Sequence, residues 1–229
     1  MERGLLKRIG ICVLSLASLD LFYQALHDAA NAGSASAATT STGQLRYRVR
    51  HSVFGNIGTY TNVVQTAGEV TMVRTTAHFL ASMLGVGLHR EDAERTERWS
   101  GGRLISFAGV TKKNDNTIEV KGEARGNDFV IVSPKGTFTA PATVQPANPW
   151  SIGCLHSTTM MRVDDGEIEK VRVTDGSETT VMIDGASVPA RLYEINGTTR
   201  YKIWFDQQNI PIMFAVDDDS GQITFTLER

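Results

Sequence analysis

The chain has 229 residues, a formal net charge of −2 and a sequence pI near 6.2. That length suffices for one domain with a sizeable core, and the lack of a basic stripe excludes an electrostatic hold on nucleic acid. With only Cys12 and Cys154, thiolate metal clusters are excluded. If Cys12 leaves with a leader, no internal disulfide remains.

The first element is that leader. Met1–Arg8 carries Arg3, Lys7 and Arg8, Ile9–Leu19 is apolar, and the sequence then turns small and polar. This is the grammar of a Sec-type signal peptide, with cleavage after Ala32 or Ala37. An uncleaved anchor running to Leu26 would carry Asp20 inside the bilayer, at about 2.5–3.5 kcal/mol for a central carboxylate. The expected organisation is a signal peptide over 1–37, a flexible lead-in over 38–43 and one β-rich domain over 44–229. The expected location is the periplasm or the exterior, with no membrane span after cleavage.

Leu45–Phe54 alternates, with Leu45, Tyr47, Val49, His51 and Val53 on one face and Arg46, Arg48 and Arg50 on the other. Such period-two patterning marks a strand with one covered face. Gly55-Asn56 turns the chain into a second strand over Ile57–Thr66, and Ala67-Gly68 turns it into a third over Val70–Phe79. Phe79–Leu88 is nearly continuous apolar sequence, either core or an apolar lip over a cavity. His89–Trp99 contains Glu91–Arg95 and Glu94–Arg98 at helical i,i+4 spacing, yet only Ala93 and Trp99 are apolar. That is too little for a buried helical stripe. The turn at Trp99–Arg103 leads straight into Leu104–Thr111, so His89–Trp99 is expected to be a strand with a zwitterionic outer face.

Strands follow at Ile118–Ala124 and Phe129–Ser133. Pro134–Pro149 loses the alternation and gains four prolines, and is expected to be a surface excursion. Trp150–Met161 has room for a short helix, and Glu167–Thr174 resumes the sheet. The last third reads as five antiparallel strands between turns at Asp184-Gly185, Asn196-Gly197, Asp206–Asn209 and Asp219–Gly221. The expected fold is mainly β: one large curled antiparallel sheet, an open or incomplete barrel built as a meander of about a dozen strands, with one or two short helices.

Catalytic signatures are missing. There is no G-x-S-x-G, phosphate-binding loop, dinucleotide fingerprint or H-E-x-x-H. His51, His78, His89 and His156 show no ligand spacing, and Cys154-Leu155-His156 is a poor nucleophile–base geometry. No catalytic residue, metal or cofactor is expected. The residues best placed to touch an apolar ligand are Phe79, Leu80, Met83, Leu84 and Val86 of the apolar segment, with Trp99, Trp150 and Trp204. Core packing is the ordinary use of each tryptophan. Trp204 stands out because parity sets it opposite Tyr201, Ile203 and Phe205 and beside charges.

Several stretches resemble an uncharacterised family of exported bacterial proteins, domain of unknown function 6134. They are Ile57-Gly58, Leu84-Gly85-Val86, Trp99–Leu104, Pro149-Trp150, Ala190–Tyr193 and Gly197–Asp206. The resemblance covers about Leu45–Leu227, and the loop with Ser151 and Cys154 departs from it. It implies a distant similarity to curled-sheet lipoprotein-carrier proteins. The expected function is non-enzymatic binding of a lipid or other apolar molecule in the concave face. The alternatives are an envelope structural or protein-interaction module, or a hydrolase with an unrecognised site.

Overall fold

The computed structural model describes residues 40–229, apart from 84, 85 and 219 and the side chains of Met83, Val86, Leu88 and Asp218. The leader expected over 1–37 and its expected cleavage sites lie outside the described residues. The first eight strands form a hairpin meander: β1 Thr40–His51, β2 Gly55–Ala67, β3 Val70–Met83, β4 Val86–Ser100, β5 Arg103–Lys113, β6 Asn116–Arg125, β7 Asp128–Ser133 and β8 Gly136–Pro141. A stretch of short pieces follows: β9 Gln145–Pro146, a 3-10 turn over Ile152–His156, β10 Thr159–Met161, β11 Ile168–Lys170 and β12 Arg172–Val173. A second meander ends the chain: β13 Ser177–Ile183, β14 Ala186–Asn196, β15 Arg200–Phe205, β16 Pro211–Asp218 and β17 Gly221–Leu227.

The two meanders make one 14-stranded sheet in the order β12-β14-β15-β16-β17-β1-β2-β3-β4-β5-β6-β7-β8, with β13 on β14. Their seam is the antiparallel β1–β17 ladder, from Tyr47 opposite Leu227 to His51 opposite Ile223. The path is open, since no ladder among the described residues joins β8 to β12. At the seam alternation does what period two demands: Tyr47 and Val49 are fully buried while Arg46, Arg48 and Arg50 are exposed. Tyr47, Tyr60, Phe214 and Phe225 meet on the inner face, with Phe214 and Phe225 stacked at 4.2 Å and Tyr47 edge-on to Phe214 at 5.1 Å. Each such pair adds about 0.5–1.5 kcal/mol beyond its buried area. Gly58, beside a bulge in β1–β2, has φ +146°, and a Cβ there would lie 1.8 Å from the His78 carbonyl oxygen. No other residue fits this crossing of β2 and β3.

Three expectations need correction. The lead-in is not loose from Thr40 on, because Thr40–Gly43 pairs with Val64–Ala67 as the start of β1. The first strand stops at His51, where the ring Nδ1 accepts the Val53 N–H and caps the turn; Val53 is exposed and Gly55 already belongs to β2. Pro134–Pro149 is not a surface excursion. Its first half is β8, the edge strand at one end of the sheet, which tolerates Pro141. Its second half dives inward, burying Val144 and Asn148.

That inward turn starts a plug. β9, β10 and β11 form a separate three-stranded sheet. Cys154, Met160 and Val171 join the inner-face cluster of Tyr47, Ile195, Ile203, Phe205, Phe214 and Phe225. Val144 and Met161 join a neighbouring one of Val73, Leu104, Phe107, Phe129 and Ile131. Only Arg172–Val173 of the stretch expected to resume the sheet pairs with a large-sheet strand. The interior of the rolled sheet is therefore occupied by the chain's own residues 142–171.

The β13–β14 hairpin provides a third core. Val181, Ile183, Val188 and Ala190 pack with Ile212, and Trp204, Met213 and Leu227 lie against them. Asp184 and Gly185 at its tip have φ of 49° and 82°, the tight-turn geometry expected of Asp-Gly. The Asp184 carboxylate accepts a hydrogen bond from Arg48 at 2.6 Å, on the face of β1 opposite Tyr47.

Candidate functional site: a buried carboxylate under the plug, and an open groove

β4 is the strand that departs most from ordinary burial. It is a strand as its flanking turns imply, but its charges do not all face out. Glu91, Ala93, Arg95, Glu97 and Trp99 share the inward parity, and Arg95 and Glu97 are buried. Glu97 is fully buried. Its Oε1 accepts from Asn148 Nδ2 at 2.7 Å, and its Oε2 accepts from Trp99 Nε1 at 2.9 Å and Trp150 Nε1 at 3.0 Å. The two indoles meet edge-to-face at 5.8 Å. Burial pushes the carboxyl up to about 7, with Asn148, the two indoles and Arg95 pulling back.

Asn148 is the hub. Its Oδ1 accepts from Tyr60 Oη at 2.8 Å and Asn62 Nδ2 at 2.9 Å, and its Nδ2 also reaches Thr75 Oγ1 at 3.1 Å. Thr75 in turn donates to Asn62 Oδ1 at 2.7 Å. Every polar atom of this amide is spoken for by side chains of β2, β3 and β4. Burial of such a group is tolerable only on those terms. Arg95 is served less well: one guanidinium nitrogen donates to Thr111 at 3.3 Å, Glu91 lies 3.9 Å away, and its Nε is buried with no partner. Further along the plug, Lys113 Nζ meets Asp164 at 2.7 Å, and Lys135 meets Asp165 and Glu167. Burial opposes ionisation of Asp165, but Arg162 and Lys135 take it down to about 2.

The plug is thus clasped by polar contacts and apolar beneath. A pocket under it, among Asn148, Cys154, Met160, Ile203 and Phe214, is about 10 Å³, room for one water at most. Burial pushes the Cys154 thiol up to about 12, and His156 is exposed. That pair is the reverse of an activated nucleophile and base. Among the described residues, no group of three or more His, Cys, Asp or Glu is placed to hold a metal ion.

The sequence-selected ligand residues fall in different places. Phe79 packs on the inner face, edge-on to Phe225 at 6.0 Å. Leu80 is 55% exposed on the opposite side. Leu84 and the side chains of Met83 and Val86 lie outside the described residues. Trp99 and Trp150 come together on Glu97. Trp204 is half-buried, packed against the core of the β13–β14 hairpin. Sequence reading missed Glu97, Asn148, Arg95, Asn62 and Thr75. One signal was available: Arg95 and Glu97 share parity with Ala93 and Trp99, the only apolar residues of His89–Trp99.

A groove of about 660 Å³ opens where the base of the β13–β14 hairpin passes the 206–209 turn. β14 outruns its neighbour here, for the β14–β15 ladder ends at Arg191 opposite Phe205. Pro189, Arg191 and Tyr193 share the groove-facing parity, with Thr180 and Glu178 opposite the first two on β13. The Tyr193 ring rests edge-on against Phe205 at 5.9 Å.

An open, rolled antiparallel sheet plugged by its own chain is a β-barrel-like architecture. Such a fold is seen in the crystal structure of a beta-barrel-like protein of the domain of unknown function DUF1849 from Brucella abortus. It superposes with a TM-score of 0.59 over 84% of this chain and 96% of that one, at 12% identity. No curated protein matches. The family model for the domain of unknown function DUF6134 matches residues 47–228, and the chain belongs to that family.

Proposed function

We propose that the protein is exported and works without catalysis, as a binding module of the cell envelope that engages its partner through a solvent-open surface and not through its filled interior. The observation that carries this reading is the occupied interior. A trough for an apolar ligand would have to be empty, and here the plug packs on the inner face, with a pocket of only about 10 Å³ between Cys154, Met160 and the sheet. Burying Glu97 and Asn148 across the plug contact ties that filling to the sheet. Export is supported by the basic, apolar and small-residue order of Met1–Ala37. Fractionation of host cells with N-terminal sequencing tests it. The expected product is an envelope protein beginning at Gly33 or Ala38, and an unprocessed cytoplasmic chain would refute export.

A second reading is favoured by one feature. The plug grips the sheet through polar atoms, while its underside covers an aromatic face. A lipid or other apolar molecule would take the plug's place if it lifted, against Phe79, Phe214 and Phe225. Native mass spectrometry of protein from its own host separates the two. A stoichiometric lipid establishes this second reading, and a ligand-free mass leaves the first.

A further inference from the structure

We propose that the groove between the β13–β14 hairpin and the 206–209 turn is a binding site for a neutral saccharide chain. This deepens the surface-binding reading above and rests on it. The groove's volume of about 660 Å³ falls in the range of built small-molecule sites. Its chemistry is mixed in the way a sugar is mixed. Tyr193 lines it with part of an aromatic ring, apolar surface for the C–H side of a pyranose, and Arg191, Glu178, Asp206, Gln207 and Asn209 offer polar groups for hydroxyls.

The charges argue for a neutral ligand. Arg191 lies 3.5 Å from Glu178 across the hairpin, so its charge is balanced locally. Asp206 adds a carboxylate, and among the described residues lining the groove Arg191 is the one cation. Part of the lining, Tyr193 and the turn backbone, is also held in place before any ligand arrives. Tyr193 is braced by Phe205, and Gly176 lets it sit close: a Cβ at Gly176 would fall 2.5 Å from Tyr193 Cζ and 2.6 Å from Arg191 Cδ. The turn is braced by Asp206 Oδ1, which accepts the N–H groups of Gln208 and Ile210 at 2.9 Å each. Such preorganisation reduces the cost of binding. Strand addition by a peptide is the competing use of the uncovered β14 edge, but Pro189 takes a backbone donor out of that stretch.

The test is an NMR titration of the exported, processed protein with three probes: the β-1,4-linked tetramer of N-acetylglucosamine, cellotetraose and maltotetraose. At least one should shift the amides of 178–180, 191–193 and 206–209, with a Kd no weaker than about 1 mM. Tyr193→Ala should weaken that binding by about tenfold or more, and Tyr193→Phe by less than about threefold, since the ring face supplies the contact. If Tyr193→Ala loses its dispersed spectrum, Gln207→Ala in the exposed turn takes its place and should still weaken binding. No shift with any probe, shifts elsewhere, or undiminished binding by the folded variant overturns the saccharide site. Photo-crosslinking from position 207 in the host envelope keeps the two failures apart. A specific adduct without saccharide binding sinks only the ligand class, and no adduct and no binding sink the surface-binding reading as well.

Discussion

Glu97→Gln isolates the cost of burying a charge beneath the plug. The folded carboxyl titrates near 7 and its ordinary value is 4.5. Between those values the folded chain holds the proton more tightly than the unfolded chain does. The stability this group supplies is therefore complete below pH 4.5 and is lost as pH rises through 7. A difference of that size corresponds to about 3 kcal/mol. Glutamine does not titrate, so wild-type stability minus variant stability should fall by about 3 kcal/mol from pH 4.5 to about pH 8.5. Urea unfolding of both proteins at intervals across that range measures it. The slope is the test, not the offset at one pH, because the new amide must set its NH2 against either Asn148 Nδ2 or the two indole N–H groups. Carboxylates such as Asp165 carry slopes of the opposite sign, but they are common to both proteins and cancel. A difference that stays flat would show that the three N–H donors balance burial, one that rises with pH that they outweigh it, and either would refute the reasoning.

Other outcomes follow from the same geometry. Asn148→Ala strands Tyr60 Oη, Asn62 Nδ2 and Glu97 Oε1 in the interior, and should cost about 3–5 kcal/mol in chemical denaturation, at about 1–3 for each orphaned group after partial relaxation. Asp184→Ala removes an ion pair whose partners are each about half exposed, so it should cost less than about 1 kcal/mol by the same measurement. Gly58→Ala places a methyl group on the His78 carbonyl and should cost more than about 3 kcal/mol, read as loss of soluble folded protein. Cys154 should resist a thiol reagent in the native protein at pH 8 and react fully in denaturant, because it is buried and its thiol stays protonated.

The β elements were legible because period two is a local property. The five C-terminal strands, the Asp184-Gly185 turn and the strand character of His89–Trp99 can all be read from neighbouring residues. What sequence left undecided is which of two faces meets the interior once both carry something unusual. On β4 the charges Glu91, Arg95 and Glu97 face inward because partners wait for Arg95 and Glu97 there, and those partners lie up to 53 residues away in sequence. The same holds for Asn148 and Trp150. Proline and lost alternation mark that stretch as irregular, and irregular chain ordinarily lies outside. Here side chains of β2, β3 and β4 satisfy its polar groups, so it can fill the roll instead. Alternation by itself determined that this chain would make a large antiparallel sheet. Only the tertiary structure decided that the sheet's hollow would be closed by a clasped plug, since hydrogen bonds between distant residues leave no local pattern.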